Sequence, residues 1–101
     1  MASRFDLQTK LEELLESRNV YYQPPESVKL QYPAIVYSKS DIDSTYADDS
    51  SYRLTHRYEI TVIDKKPDNE VIHKLLKEKY CSFDRHFKSD NLNHDVLTLY
   101  Y

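Results

Sequence analysis

From Tyr52 to Ile63 the chain alternates apolar and polar residues over twelve positions. Tyr52, Leu54, His56, Tyr58, Ile60 and Val62 share one parity. Arg53, Thr55, Arg57, Glu59 and Thr61 share the other. A period of two is the strand period, because successive side chains point to opposite faces. An apolar face backed by a charged one marks an antiparallel strand with one solvated side. At twelve residues the run exceeds the usual strand of about 5–6.

The remaining elements follow from local pattern. A helix is predicted over 3–18, with Leu7, Leu11, Leu14, Leu15 and Arg18 on one stripe. Ser3 and Asp6 form a capping arrangement, Glu12, Glu13 and Glu16 face outward, and Asn19 is the stop. Val20-Tyr21-Tyr22-Gln23 is a short extended piece ended by Pro24-Pro25, and 28–32 is another before Pro33. Ala34-Ile35-Val36-Tyr37-Ser38 is a buried strand, rich in β-branched and aromatic residues. The stretch 40–51 is polar, carries four aspartates and no Lys or Arg after Lys39, and reads as a long loop or a projecting hairpin end.

After the long strand, Asp64-Lys65-Lys66-Pro67-Asp68-Asn69 is a turn into a second helix. Pro67 suits the first helical position. Val71, Ile72, Leu75 and Leu76 are the buried stripe. Asp68 and Glu70 complement the positive end, and Lys77 and Lys79 the negative end. Residues 81–87 alternate weakly as a third strand, 88–93 turn, and 94–101 form a last strand that is apolar on both faces and therefore central or covered on both sides. The order α-β-β-α-β-β predicts an α+β domain over 1–101. It has a mainly antiparallel four-stranded sheet, two helices on one face and an acidic loop projecting at 40–51.

Composition restricts function. The 101 residues suit one domain, which can hold a core without disulfides or metal. Fourteen basic residues stand against seventeen acidic ones, net −3, without the basic excess of a nucleic-acid binder. No apolar run is long enough to span a membrane, and the first residues lack the apolar stretch of a signal peptide. Cys81 is the single cysteine and has no internal disulfide partner, which suits a reducing compartment. Glycine is absent, which rules out a P-loop or a dinucleotide fingerprint and leaves turns to Asn, Asp, Ser and Pro. Tyrosine occurs ten times, a residue that suits both strands and protein interfaces.

Each candidate chemistry lacks a requirement. Asp41, Asp43, Thr45, Asp48 and Asp49 resemble a calcium loop, but the glycine turn is missing and Tyr52 stands where the bidentate glutamate belongs. His56, His73, His86 and His94 have no zinc-ligand spacing, although His86, Asp90 and His94 flank one turn. Asp64-Lys65-Lys66 at a strand end has the look of a small metal-dependent nuclease, but no second carboxylate stands at a diagnostic spacing, and Glu59 lies on the same strand. Cys81 has no base beside it in sequence, and Asp84-Arg85-His86 is not a diagnostic arrangement. The expectation is a protein that is not an enzyme, with no cofactor, no metal and no catalytic residue. It acts by binding, through Asp41, Asp43, Tyr46, Asp48 and Asp49 on the acidic segment and Arg53 and Arg57 on the charged strand face. An acidic loop and a basic face in one small domain suit head-to-tail contact between copies, the kind that closes into rings.

Three stretches carry a family resemblance: Leu30-Gln31-Tyr32-Pro33-Ala34-Ile35-Val36-Tyr37, Tyr58-Glu59-Ile60-Thr61-Val62-Ile63-Asp64, and the closing run from Cys81-Ser82-Phe83-Asp84-Arg85 to Leu97-Thr98-Leu99-Tyr100-Tyr101. From about residue 21 to 101 the chain resembles tail terminator, or tail completion, proteins of tailed bacteriophages and prophages, which join tail to head. The resemblance implies an α+β fold around an antiparallel sheet. It implies a hexameric ring at the head-proximal end of the tail tube, which stops tube polymerisation and docks the tail to the head connector or stopper protein. The partners would be further copies, the tail tube protein and the connector. The chain would sit in the virion, and in the host cytoplasm during assembly. DNA would pass through the ring without specific binding, which an acidic lining from Asp41, Asp43, Asp48 and Asp49 would favour by repulsion. Another neck or minor capsid adaptor is the alternative, and a small metal-dependent nuclease a further one.

Overall fold

A computed structural model describes residues 4–47, 51–66, 69–78 and 80–101, with the backbone alone for 41–47 and 51–55. The elements are α1 (Arg4–Leu15), β1 (Val20–Tyr22), β2 (Ala34–Ala47), β3 (Ser51–Asp64), α2 (Glu70–Leu76), β4 (Cys81–Ser89) and β5 (Leu92–Tyr100). They form an α+β domain around one mixed sheet of order β1-β2-β3-β5-β4.

The sheet has five strands, not the four expected. The additional strand is Val20–Tyr22, which pairs parallel with Ile35–Tyr37 of β2. Three residues with no alternation of their own carry no strand period, and only the tertiary pairing makes them a strand. The other pairs, β2–β3, β3–β5 and β4–β5, are antiparallel.

One face of the sheet carries the core. Ile35 is opposite Val62, Tyr37 opposite Ile60, Tyr58 opposite Leu99 and Ile60 opposite Leu97. These residues form one cluster with Leu7 and Leu11 of α1 and Val71 and Leu75 of α2. Both helices therefore cover this face. The buried rings of Tyr37 and Tyr58 meet edge to face at 6.0 Å, and Tyr22 tilts against Tyr37 at 4.9 Å. The Tyr37 hydroxyl donates to Gln8 Oε1 (2.5 Å), and the Gln8 amide nitrogen donates to the Val20 carbonyl (3.0 Å). The polar atoms of α1 thus satisfy the polar end of a buried tyrosine and fix the helix over β1 and β2.

Without glycine, left-handed positions fall to larger residues. Glu16 (φ 60°) ends α1: its N–H donates to Glu13 O and the Ser17 N–H to Glu12 O, the paired bonds of a Schellman C-cap. The helix therefore stops at Leu15 and does not reach Arg18, and Leu14 and Leu15 are only partly buried. Asp90 (φ 53°) and Asn91 (φ 63°) make a two-residue hairpin turn that joins β4 to β5, tighter than the predicted turn over 88–93. α2 begins at Glu70 with Asn69 as its N-cap, whose side chain accepts from the Val71 N–H (2.9 Å). Pro67, expected in the first turn, lies outside the described residues, and Leu76 is exposed, not part of the buried stripe.

Candidate interaction surfaces

The main departure from a compact body is a ribbon made by β2 and β3. The two strands pair continuously from Ala34 with Ile63 to Ala47 with Ser51. β5 accompanies β3 only as far as Arg57, opposite Tyr100, and β1 covers only Ile35–Tyr37 of β2. The His56 carbonyl still accepts from the Tyr101 N–H (3.0 Å), and beyond it, among the described residues, 41–47 and 51–55 have ladder partners only across the ribbon. Seven residues of strand reach about 24 Å. The molecule measures 52 × 27 × 23 Å, and its radius of gyration of 14.6 Å exceeds the about 13 Å of a compact chain this long. The segment 40–51, expected as a loop or hairpin end, is thus mostly strand: β2 runs to Ala47 and β3 opens at Ser51.

A β-bulge hid this strand in the sequence. The register shifts between Lys39 and Asp41, so Ser40 is the additional residue. Its hydroxyl donates to the Arg57 carbonyl (3.0 Å) and accepts from Arg57 Nε (3.1 Å), which ties the bulge to the facing strand. The bulge also flips the parity of β2. Ile35 and Tyr37 lie on the core side, and after the bulge Ile42, Ser44 and Tyr46 take register positions opposite His56, Leu54 and Tyr52. These are the parity of β3 that continues the core side. Asp41, Asp43 and Thr45 take the alternate positions, opposite Arg57, Thr55 and Arg53.

This register changes the reading of the candidate residues. Asp41 is directly opposite Arg57, and Asp43 is diagonal to both Arg53 and Arg57. The acidic and basic residues are the two strands of one ribbon and not two separate surfaces. Tyr46 is opposite Tyr52, in the row that continues the core side. Asp48 and Asp49 lie outside the described residues.

The second open feature is β4, which sequence reasoning did not single out. β4 is the sheet edge, and from Ser82 to Ser89 every residue is exposed. It presents Phe83 (47 % exposed) and Phe87 (40 % exposed), with Phe87 stacked on His94 at 4.6 Å. A bulge at Asp84 breaks its alternation, as Ser40 does in β2, and this accounts for the weak period. A third feature is an open cleft of about 290 Å³ beside α1 and β5, lined by Lys10, Glu78, Tyr80, Leu99, Tyr100 and Tyr101, with Lys10 Nζ on Glu78 at 2.8 Å.

The residues weighed for chemistry have structural partners. Asp64 accepts from the Lys66 N–H (3.2 Å) and from Asn69 Nδ2 (2.7 Å), so its carboxylate organises the turn into α2. Glu59 is opposite Ser38 and Thr98, in the row of β3 alternate to Asp64, so the two carboxylates do not converge. His86 Nδ1 is 2.6 Å from the buried Asp95, whereas His94 is opposite Phe87 in the alternate row. His56 meets Tyr58 edge to face. Among the described residues no three His, Cys, Asp or Glu side chains are grouped to hold a metal ion. Burial, and then the Glu78 carboxylate, push the Cys81 thiol up, away from the thiolate that a nucleophile needs.

Burial likewise raises Tyr37 and Tyr58 above the usual tyrosine value of 10.0. Below pH 10 both phenols are neutral in the folded and unfolded chain and do not affect the balance. Above it the unfolded chain ionises first, so stability is lost as pH rises through the folded values. Lys10, raised chiefly by its hydrogen bond to Glu78, acts in the same direction above its ordinary 10.5. Denaturant midpoints are therefore expected to stay level up to about pH 10 and fall beyond it, less steeply in Tyr37→Phe. Equal slopes in the two proteins would contradict this assignment.

No family model, no curated protein and no solved structure matches the chain.

Proposed function

We propose that the chain is a structural adaptor that forms a ring at the head-proximal end of a phage tail tube, terminates tube growth and joins the tail to the head connector. The observation that carries this reading is the β2–β3 ribbon, which leaves the sheet with no partner of its own among the described residues. A two-stranded ribbon alone is marginal in water. Contact with another subunit supplies the burial that the chain itself does not. The open β4 edge is a second surface of the same kind. The resemblance of the three sequence stretches supplies the setting, with a hexameric ring, the tube protein and the connector as partners. DNA passes through the ring without specific binding.

The test is electron microscopy of the tailed particle that contains this chain. The expected result is a ring of copies between tube and connector, with the ribbons reaching a neighbouring subunit or ring. Density for the chain at any other place in the particle overturns the reading.

A further inference from the structure

We propose that the outer edge of β4 and the open part of the β2 edge are two halves of one interface, and that a second copy of this chain occupies each. The inference rests on the ring reading for its partner, and it names the surfaces that make the ring.

The sheet ends in two unequal edges. At one, β4 exposes 82–89 along its outer side, with no proline to block a ladder. At the other, β1 shields Ile35–Tyr37 and leaves 38–47 of β2 uncovered among the described residues. The open stretches are of nearly equal length, so one matches the other.

Direction agrees as well. β2 is antiparallel to β3 and β3 to β5, so β2 and β5 run the same way. β4 is antiparallel to β5 and hence to β2. If the sheet runs on from one copy into the next, β4 meets the neighbour's β2 antiparallel, the more stable pairing. Such a contact uses two different surfaces and is heterologous, the kind that builds a ring where the rotation between copies closes, and not a two-fold dimer.

Charge separates this pairing from its rival. β4 carries Arg85 and Lys88 against Asp84, which pairs with Arg85 at 2.6 Å, so the edge is net positive. The stretch 38–47 carries Asp41 and Asp43, against Lys39 alone. Two β4 edges paired with each other would bring like charges together, which discourages the two-fold arrangement. β4 against β2 brings opposite charges together. Phe83 and Phe87, exposed in the isolated chain, gain cover in the same step.

The test uses the full chain with Cys81→Ser. Arg85→Cys is combined with Lys39→Cys in one variant and with Asp43→Cys in another, so that the result does not depend on a single register. The single variants serve as controls, and native mass spectrometry of the unmodified chain runs beside them. A short bismaleimide is expected to give a ladder extending beyond the dimer in at least one double variant, and monomer in each single variant. Dimers from Arg85→Cys alone show a two-fold β4 contact and overturn the proposal. Absence of a ladder from a chain that native mass shows to be oligomeric overturns the edge pairing and leaves the ring reading standing. A monomer by native mass, both alone and with tail tubes added, overturns both.

Discussion

Replacing Ile60 by alanine is expected to destabilise the domain by about 2–5 kcal/mol, the usual cost of emptying a fully buried aliphatic site. Ile60 is fully buried at the centre of β3, between Tyr37 on β2 and Leu97 on β5. It belongs to the cluster that both helices share, so the cavity would open where three strands and two helices meet. A domain of this size has a total stability of about 5–15 kcal/mol, so the loss is a large share of it. Leu76→Ala is the control. Leu76 is 38 % exposed at the end of α2 and should cost about 1 kcal/mol or less. Urea titration with unchanged slope measures both. Equal midpoints for the two variants would mean that the core does not lie on this face of the sheet.

The second large effect concerns the ribbon, and here stability and assembly should separate. Excising 42–56 and joining the ladder partners Asp41 and Arg57 through Asn-Gly, the residues a two-residue turn prefers, removes the ribbon beyond the bulge. Ala34 to Lys39 still pair with Tyr58 to Ile63, and β5 still pairs from Arg57 onward. The shortened chain is therefore expected to unfold in one cooperative transition, close in midpoint to the parent, because a shorter connection costs less closure entropy. Assembly is expected to be abolished, since the excision removes the ribbon and most of the open β2 edge together. A shortened chain that assembles as well as the parent would show that neither takes part. A shortened chain that fails to fold would show that the ribbon is part of the domain's own stability.

Much of this architecture could be read from the residues, and the parts that could not share a cause. β3 was legible because its alternation runs unbroken from Tyr52 to Ile63, and it spans Ser51–Asp64 in the structure. β5 was legible as an inner strand because Val96, Leu97 and Leu99 leave it no solvated face, and it lies between β3 and β4. β2 and β4 each contain a bulge, at Ser40 and Asp84, and a single inserted residue reverses the parity on which a strand is recognised. The far half of β2 therefore read as an acidic loop, although Ile42 and Tyr46 already held the apolar register. β1 was missed because three residues are too few for a period, and its pairing with Ile35–Tyr37 depends on residues far along the chain.

The candidate residues were legible as a set but not as a geometry. Asp41, Asp43, Arg53 and Arg57 invited the idea of an acidic surface meeting a basic one on another copy. Their register places them on the facing strands of one ribbon. The surfaces left for a partner are then the β4 edge and the uncovered length of β2. No local pattern signals an edge, because being at an edge is a property of strand order.

We propose that this chain ends a growing tube. This is tested most directly by adding the purified protein to its polymerising tail tube protein and measuring tube lengths by electron microscopy. Shorter tubes with a ring at one end and no further growth from that end are expected. Tubes of unchanged length, with no ring at either end, would contradict it.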